Sequence, residues 1–193
     1  MKTPSLFACV FGLAAASVAS GAADAPASPA APAAATVQAP AQPAADAPQA
    51  LSPVASALSK LTFMSDVRPR LDAKYYIFLH SASWCGACIA TMPTVVETIK
   101  EMEAEKSPIE VILCCYDRTA AAGVEYSKEN GHAFPLLMDG SPGVYDIPGN
   151  QRATGIPDIR IISADGELVF AGLGKKIADW KTIIAEYEEK KKG

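Results

Sequence analysis

The stretch Tyr75-Tyr76-Ile77-Phe78-Leu79-His80-Ser81-Ala82-Ser83-Trp84-Cys85-Gly86-Ala87-Cys88 runs from compact aromatic and β-branched residues through small polar ones to two cysteines three apart. Its first six residues predict a buried strand. Beyond it Ile89, Met92, Val95, Val96, Ile99 and Met102 recur at helical spacing, so a long amphipathic helix follows, kinked near Pro93. Cys85 therefore stands at a helix start, where unpaired backbone N–H groups and the helix dipole favour negative charge. That setting predicts a depressed thiol pKa and a thiolate able to attack a disulfide. Cys88 faces the same side one turn deeper, placed to attack the mixed disulfide on Cys85 and release the reduced partner. Gly86 and Ala87 are small enough to let a partner chain approach the sulfur, and Trp84 packs beside Cys85 either as a wall of the site or as ordinary packing.

Outward from this stretch the elements alternate. Ile109 to Tyr116 is almost wholly apolar, as in a strand covered on both faces. A helix is expected over Ala120 to Glu129, closed by Asn130-Gly131, and a short strand over Phe134 to Met138. Gly and Pro recur from Gly140 to Gly155, which reads as loop. Asp158 to Ile162 and Glu167 to Ala171 flank Ser163-Ala164-Asp165-Gly166 as a hairpin. A final helix carries Ile177, Trp180, Ile183, Ile184 and Tyr187 on one face. Upstream, Leu58, Leu61, Met64, Val67 and Leu71 have a helical spacing that Pro69 interrupts near its end, predicting one helix or two short ones. The order implies an α/β domain whose mixed sheet is parallel first and antiparallel at the end.

The remaining sequence sets the context. Of the 193 residues, those from Leu58 onward hold both Trp, all six Tyr and four of the six Phe, enough for one core. Residues 1–22 have the order of a secretory signal: Lys2, an apolar run from Leu6 to Ala19, then small residues. The run is short for a membrane span, which needs about 20 residues; a membrane association is expected only if this segment stays uncleaved. Residues 23–57 are dominated by Ala and Pro and read as a disordered linker, leaving 58–193 as the folded domain. A net charge of −4 with dispersed basic residues excludes a nucleic-acid footprint. The Lys190-Lys191-Lys192 run is read as a solvated helix end. Cys114 and Cys115 are adjacent in a strand, so their side chains point to opposite faces and act as small apolar residues. A second redox pair or metal ligands is the competing reading. Asp117 and Arg118 at the strand end and Arg152 before Gly155-Ile156-Pro157 have two readings, contacts to a partner or, more commonly, solvated loop charges; His132 is read as an unimportant loop residue.

Ser83-Trp84-Cys85-Gly86-Ala87-Cys88 with Pro93 five residues on, and Gly155-Ile156-Pro157 before a hairpin, resembles the thioredoxin superfamily over residues 73–187. The helix and strand from Ala120 to Met138, placed before the Ile-Pro, resemble the insertion of periplasmic TlpA-like thiol-disulfide oxidoreductases. The residues Tyr75 to Cys88 are also similar to tryparedoxin and nucleoredoxin domains. The resemblance implies a thioredoxin-like fold, a mixed central sheet flanked by helices, with a helix-strand insertion before a cis Ile156-Pro157. It implies Cys85 and Cys88 as catalytic residues, with Trp84, Gly86, Ala87, Ile156 and Pro157 binding substrate, and needs neither metal nor other cofactor. Three departures stand out. Leu79 occupies the position where thioredoxins carry a buried acid, with His80 beside it as a candidate substitute or a structural histidine. The dipeptide between the cysteines is Gly86-Ala87, and Ile89 follows Cys88 where a basic residue is frequent.

The function expected is thiol-disulfide exchange outside the cytoplasm, in the periplasm or another exported location. Reduction of exported protein disulfides is the expected direction, with partners that are protein disulfides or dithiols and an electron-donor thiol protein. Alternatives are a disulfide oxidase or isomerase, a non-catalytic interaction domain, and a soft-metal module in which Cys85 and Cys88 hold copper or zinc, with His80 the nearby third ligand in sequence.

Overall fold

The computed structural model describes residues 50–193. The expected signal segment and most of the expected linker lie outside the described residues. The domain starts with α1 (Pro53–Leu58), whose Ser52 side chain caps Ala55 N–H while Pro53 takes the first turn, where no N–H is needed. Val54, Ala55 and Leu58 are buried and Val54 N–H donates to Ala164 O at 3.2 Å. The expected start at Leu58 therefore falls too late, since core residues precede it. The helix expected over Leu58 to Leu71 is absent. Most of that stretch is irregular: Met64 N–H donates to Leu136 O at 2.9 Å, and Ser65 Oγ donates to Phe134 O at 2.7 Å. Of that apolar period Leu58, Leu61 and Leu71 reach one core, joined by Phe63, whereas Met64 is exposed.

The strands are β1 (Tyr75–Ser81), β2 (Ile109–Cys115), β3 (Leu136–Met138), β4 (Asp158–Ser163) and β5 (Leu168–Leu173), ordered β3-β2-β1-β4-β5. β1 pairs β2 in parallel and β4 antiparallel. Parallel neighbours need helical crossovers, supplied by α2 (Gly86–Ala104) and α3 (Ala120–Glu129). Both move across the sheet in the same direction and so share one face, with Ile77, Leu79, Met92, Val95, Ile99 and Tyr126 in its core. A 3-10 segment (Gly174–Asp179) and α4 (Trp180–Lys192) close that face. The other face carries Tyr76, Phe78, Ile112 and Cys114 against α1, Val144 and Ile147. The split follows strand alternation: neighbours in β1 go to opposite cores. No helix among the described residues is long and apolar enough to cross a membrane.

Candidate functional site

β1 and β2 end at the same edge at which β4 begins, so the loops after Ser81 and Cys115 and the loop before Asp158 converge outside the sheet. Cys85 is the N-cap of α2. Its backbone is extended, and its Sγ accepts the Cys88 N–H at 3.2 Å. Cys85 and Cys88 are joined as a disulfide, Cα atoms 5.1 Å apart, with Cys88 buried beneath half-exposed Cys85. The helix start points N–H groups and positive dipole at the outer sulfur, which stabilises it as thiolate after reduction.

The expected residues come together here. Ile156-Pro157 is a cis peptide, and Ile156 O lies 3.8 Å from Cys85 Sγ. Pro157 is backed by Gly174, whose N–H donates to Pro157 O at 3.1 Å; a Cβ at Gly174 would sit 2.9 Å from the proline ring. Gly86 and Ala87 are exposed, as an approaching chain requires. Trp84 is 64 % exposed with its Nε1–H donated to Tyr116 O at 3.2 Å, so it forms an open wall rather than core packing.

His80 does not reach the dithiol. It follows Leu79, whose side chain packs on the α2 side, so the imidazole points to the opposite face. There it is fully buried, its Nδ1 3.4 Å from Tyr116 Oη, and desolvation lowers its pKa from 6.5 to about 4. A neutral histidine across the sheet neither accepts the Cys88 proton nor serves as third ligand to a metal on the two cysteines. Among the described residues no group of three or more His, Cys, Asp or Glu is arranged to hold a metal.

Of the charged residues read in sequence as solvated loop positions, Asp117 is instead buried, whereas Arg152 is exposed but ion-paired. Asp117 is 7 % exposed: its carboxylate accepts Ser83 Oγ–H at 2.6 Å, Ser83 N–H at 3.1 Å and the Cys115 thiol at 3.1 Å. It thereby anchors the loop two residues before Cys85. Arg152 grips Asp139 through two nitrogens, at 2.6 and 3.1 Å, and Asp139 also accepts Tyr145 Oη–H at 2.5 Å. Tyr116 joins both halves. Its carbonyl holds Trp84, and its Oη accepts Ala153 N–H at 3.2 Å on the way to Ile156-Pro157. Nothing local in the sequence marks Asp117 or Tyr116, whose partners Ser83 and Ala153 are distant along the chain. Cys115 lies at the base of this network, fully buried, its thiol pushed up to about 12 chiefly by burial, with the Asp117 backbone N–H opposing the rise and the Asp117 carboxylate adding to it. Burial also raises the Cys114 thiol on the opposite face, so both are protonated, unreactive side chains.

A mixed five-stranded sheet flanked by helices, with a Cys-x-x-Cys pair capping the helix after its central strand and a cis proline opposite, is the arrangement of the thioredoxin-like fold. Solved structures similar to it include a thiol:disulfide interchange protein of the thioredoxin family from Chlorobium tepidum, 23 % identical with a TM-score of 0.48, covering 60 % of this chain and 80 % of that one. A thioredoxin from Wuchereria bancrofti is 19 % identical, TM-score 0.48, covering 61 % and 83 %. StoA from Bacillus subtilis is 13 % identical, TM-score 0.49, covering 63 % and 95 %. No protein-family model and no curated protein sequence matches the chain. Such distant likenesses say nothing of activity, so the functional reading rests on this chain's own residues.

Proposed function

We propose that the protein is a thiol-disulfide oxidoreductase that reduces disulfides in exported proteins. The observation that carries this is Cys85 Sγ at the N-cap of α2, accepting Cys88 N–H at 3.2 Å, bonded to Cys88 and facing the cis Ile156-Pro157. In the reduced protein the Cys85 thiolate attacks one sulfur of a substrate disulfide. A mixed disulfide forms and the other substrate sulfur leaves as thiolate, taking a proton. Cys88, deprotonated in its turn, then attacks Cys85 Sγ, reforming the Cys85–Cys88 bond and releasing the second substrate thiolate. Two electrons pass to the substrate, and an external dithiol protein restores the reduced enzyme.

The half-exposed outer sulfur and buried inner one support that division of roles. Trp84, Gly86, Ala87, Ile156 and Pro157 form the substrate-binding surface, with the cis Ile156-Pro157 segment holding a substrate backbone in strand-like pairing. The secretory order of residues 1–22 supports action outside the cytoplasm. Insulin reduction with a supplied dithiol tests the reading: the wild type turns over, Cys85→Ser is inactive, and Cys88→Ala accumulates a mixed disulfide through Cys85. Full activity of Cys85→Ser would refute it. The equilibrium constant with glutathione sets the direction: a potential below about −200 mV fits a reductant, and one near −120 mV fits an oxidant.

A further inference from the structure

Cys85 stands between two strand ends. On the β4 side lies Ile156-Pro157. On the β2 side a cleft of about 560 Å³ opens, lined by Trp84, Tyr116, Asp117, Arg118, Thr119 and Ala122. Its aromatic wall is fixed, because the Trp84 Nε1–H is held by Tyr116 O at 3.2 Å while the ring remains 64 % exposed. Its acid is turned inward, because Asp117 is buried and occupied by Ser83 and Cys115.

Arg118 is different. The described residues include five arginines. Arg70, Arg152 and Arg160 each face a carboxylate, of Glu110, Asp139 and Asp158, and Arg68 donates to backbone carbonyls. Arg118 alone among them is exposed with neither an ion pair nor a hydrogen bond to another described residue, although acidic residues outnumber basic ones 21 to 17 in the sequence. The cleft, whose wall residue Trp84 directly precedes Cys85 in the chain, thus offers a guanidinium with no partner among the described residues, beside an exposed indole. That pairing suits a side chain with an apolar stem and an anionic head.

We propose that this cleft is a specificity subsite for an acidic residue flanking the substrate cysteine that bonds to Cys85. The carboxylate pairs with Arg118 while the methylene stem lies on Trp84. This deepens the proposed oxidoreductase function and rests on it. Arg118 takes no part in the sulfur chemistry; it selects which disulfides are presented to it.

The test uses the full chain and two synthetic disulfide peptides, identical except for Glu or Lys beside the attacked cysteine. The readout is the ratio of their kcat/KM values, in which any change in Cys85 reactivity cancels. The wild type is expected to favour the Glu peptide by about threefold or more, the size of an exposed ion pair, with the preference shrinking in high salt. Arg118→Gln brings the ratio near one and Arg118→Glu inverts it. A wild-type ratio of one, or a Glu preference that survives in Arg118→Glu, overturns the subsite. Failure of the wild type to exchange with either peptide instead overturns the oxidoreductase reading on which it stands.

Discussion

Replacing Asp117 with Ala removes the acceptor that ties the active-site loop to the end of β2. Ser83 loses a charged partner for its Oγ–H and N–H, at 2.6 and 3.1 Å, and the Cys115 thiol loses one at 3.1 Å. Hydrogen bonds to a charged group contribute about 1.5–3 kcal/mol each. Half-buried Ser83 recovers much of its share by turning to water, and a thiol is a weak donor. The net cost is about 2 kcal/mol, equivalent to a fall in Tm of about 4–8 °C for a domain of this size. Urea unfolding followed by far-UV circular dichroism measures it as a lower midpoint at unchanged m. Because the loss runs through Ser83, Asp117→Ala and Ser83→Ala together cost less than the sum of the two alone, with a coupling of about 1 kcal/mol. An unchanged midpoint in Asp117→Ala, or additive single effects, refutes the anchoring role.

Tyr116→Phe removes the Oη that accepts Ala153 N–H at 3.2 Å but keeps the ring and the carbonyl that holds Trp84. Loosening one wall of the substrate groove raises KM for a protein disulfide about threefold, with kcat changed less; a selective loss of kcat contradicts this. His80 is buried neutral, its pKa lowered from 6.5 to about 4 by desolvation. The unfolded chain therefore binds a proton that the folded one refuses as pH falls below 6.5, and stability is lost in that window, by about 2 kcal/mol at pH 5. Subtracting the pH profile of His80→Gln from that of the wild type isolates this component; a flat difference between pH 8 and 5 rules it out. At Gly123 an added Cβ would lie 2.5 Å from Cys115 Sγ and 3.1 Å from Leu136 Cδ1. Gly123→Ala gains about 1 kcal/mol of helix propensity but loses about 1–3 kcal/mol to overpacking. Thermal melts should show a net loss that adding Cys115→Ala reduces, and a stabilised single variant speaks against the clash.

The elements whose pattern is purely local were readable in the sequence. β1 and β2 appear as short apolar runs, α2 as an apolar stripe, and the turn at Ser163 to Gly166 as a change in residue type. Ser52-Pro53 is a local helix-start signal, but it stands in Ala- and Pro-rich sequence whose composition reads as linker, which hides α1. The apolar spacing from Leu58 to Leu71 imitates a helix, yet Met64 and Ser65 find their partners on Leu136 and Phe134. The dithiol was legible because its chemistry depends on residues three apart. Asp117 and Tyr116 were not, because their partners Ser83 and Ala153 lie 34 and 37 residues away. The face on which His80 lies depends on which side α2 packs, and only the crossover direction decides that.

The reduced protein, alkylated with iodoacetamide across pH 4 to 10 and mapped by mass spectrometry, offers the most direct look at the reacting sulfur. With Cys85 capping α2, its labelling should rise with a midpoint between about 3.5 and 7.5, the range of helix-capping reactive thiols, while buried Cys114 and Cys115 stay unlabelled. A Cys85 midpoint near the free-thiol value of about 8.5, or faster labelling of any other described cysteine, would contradict the account.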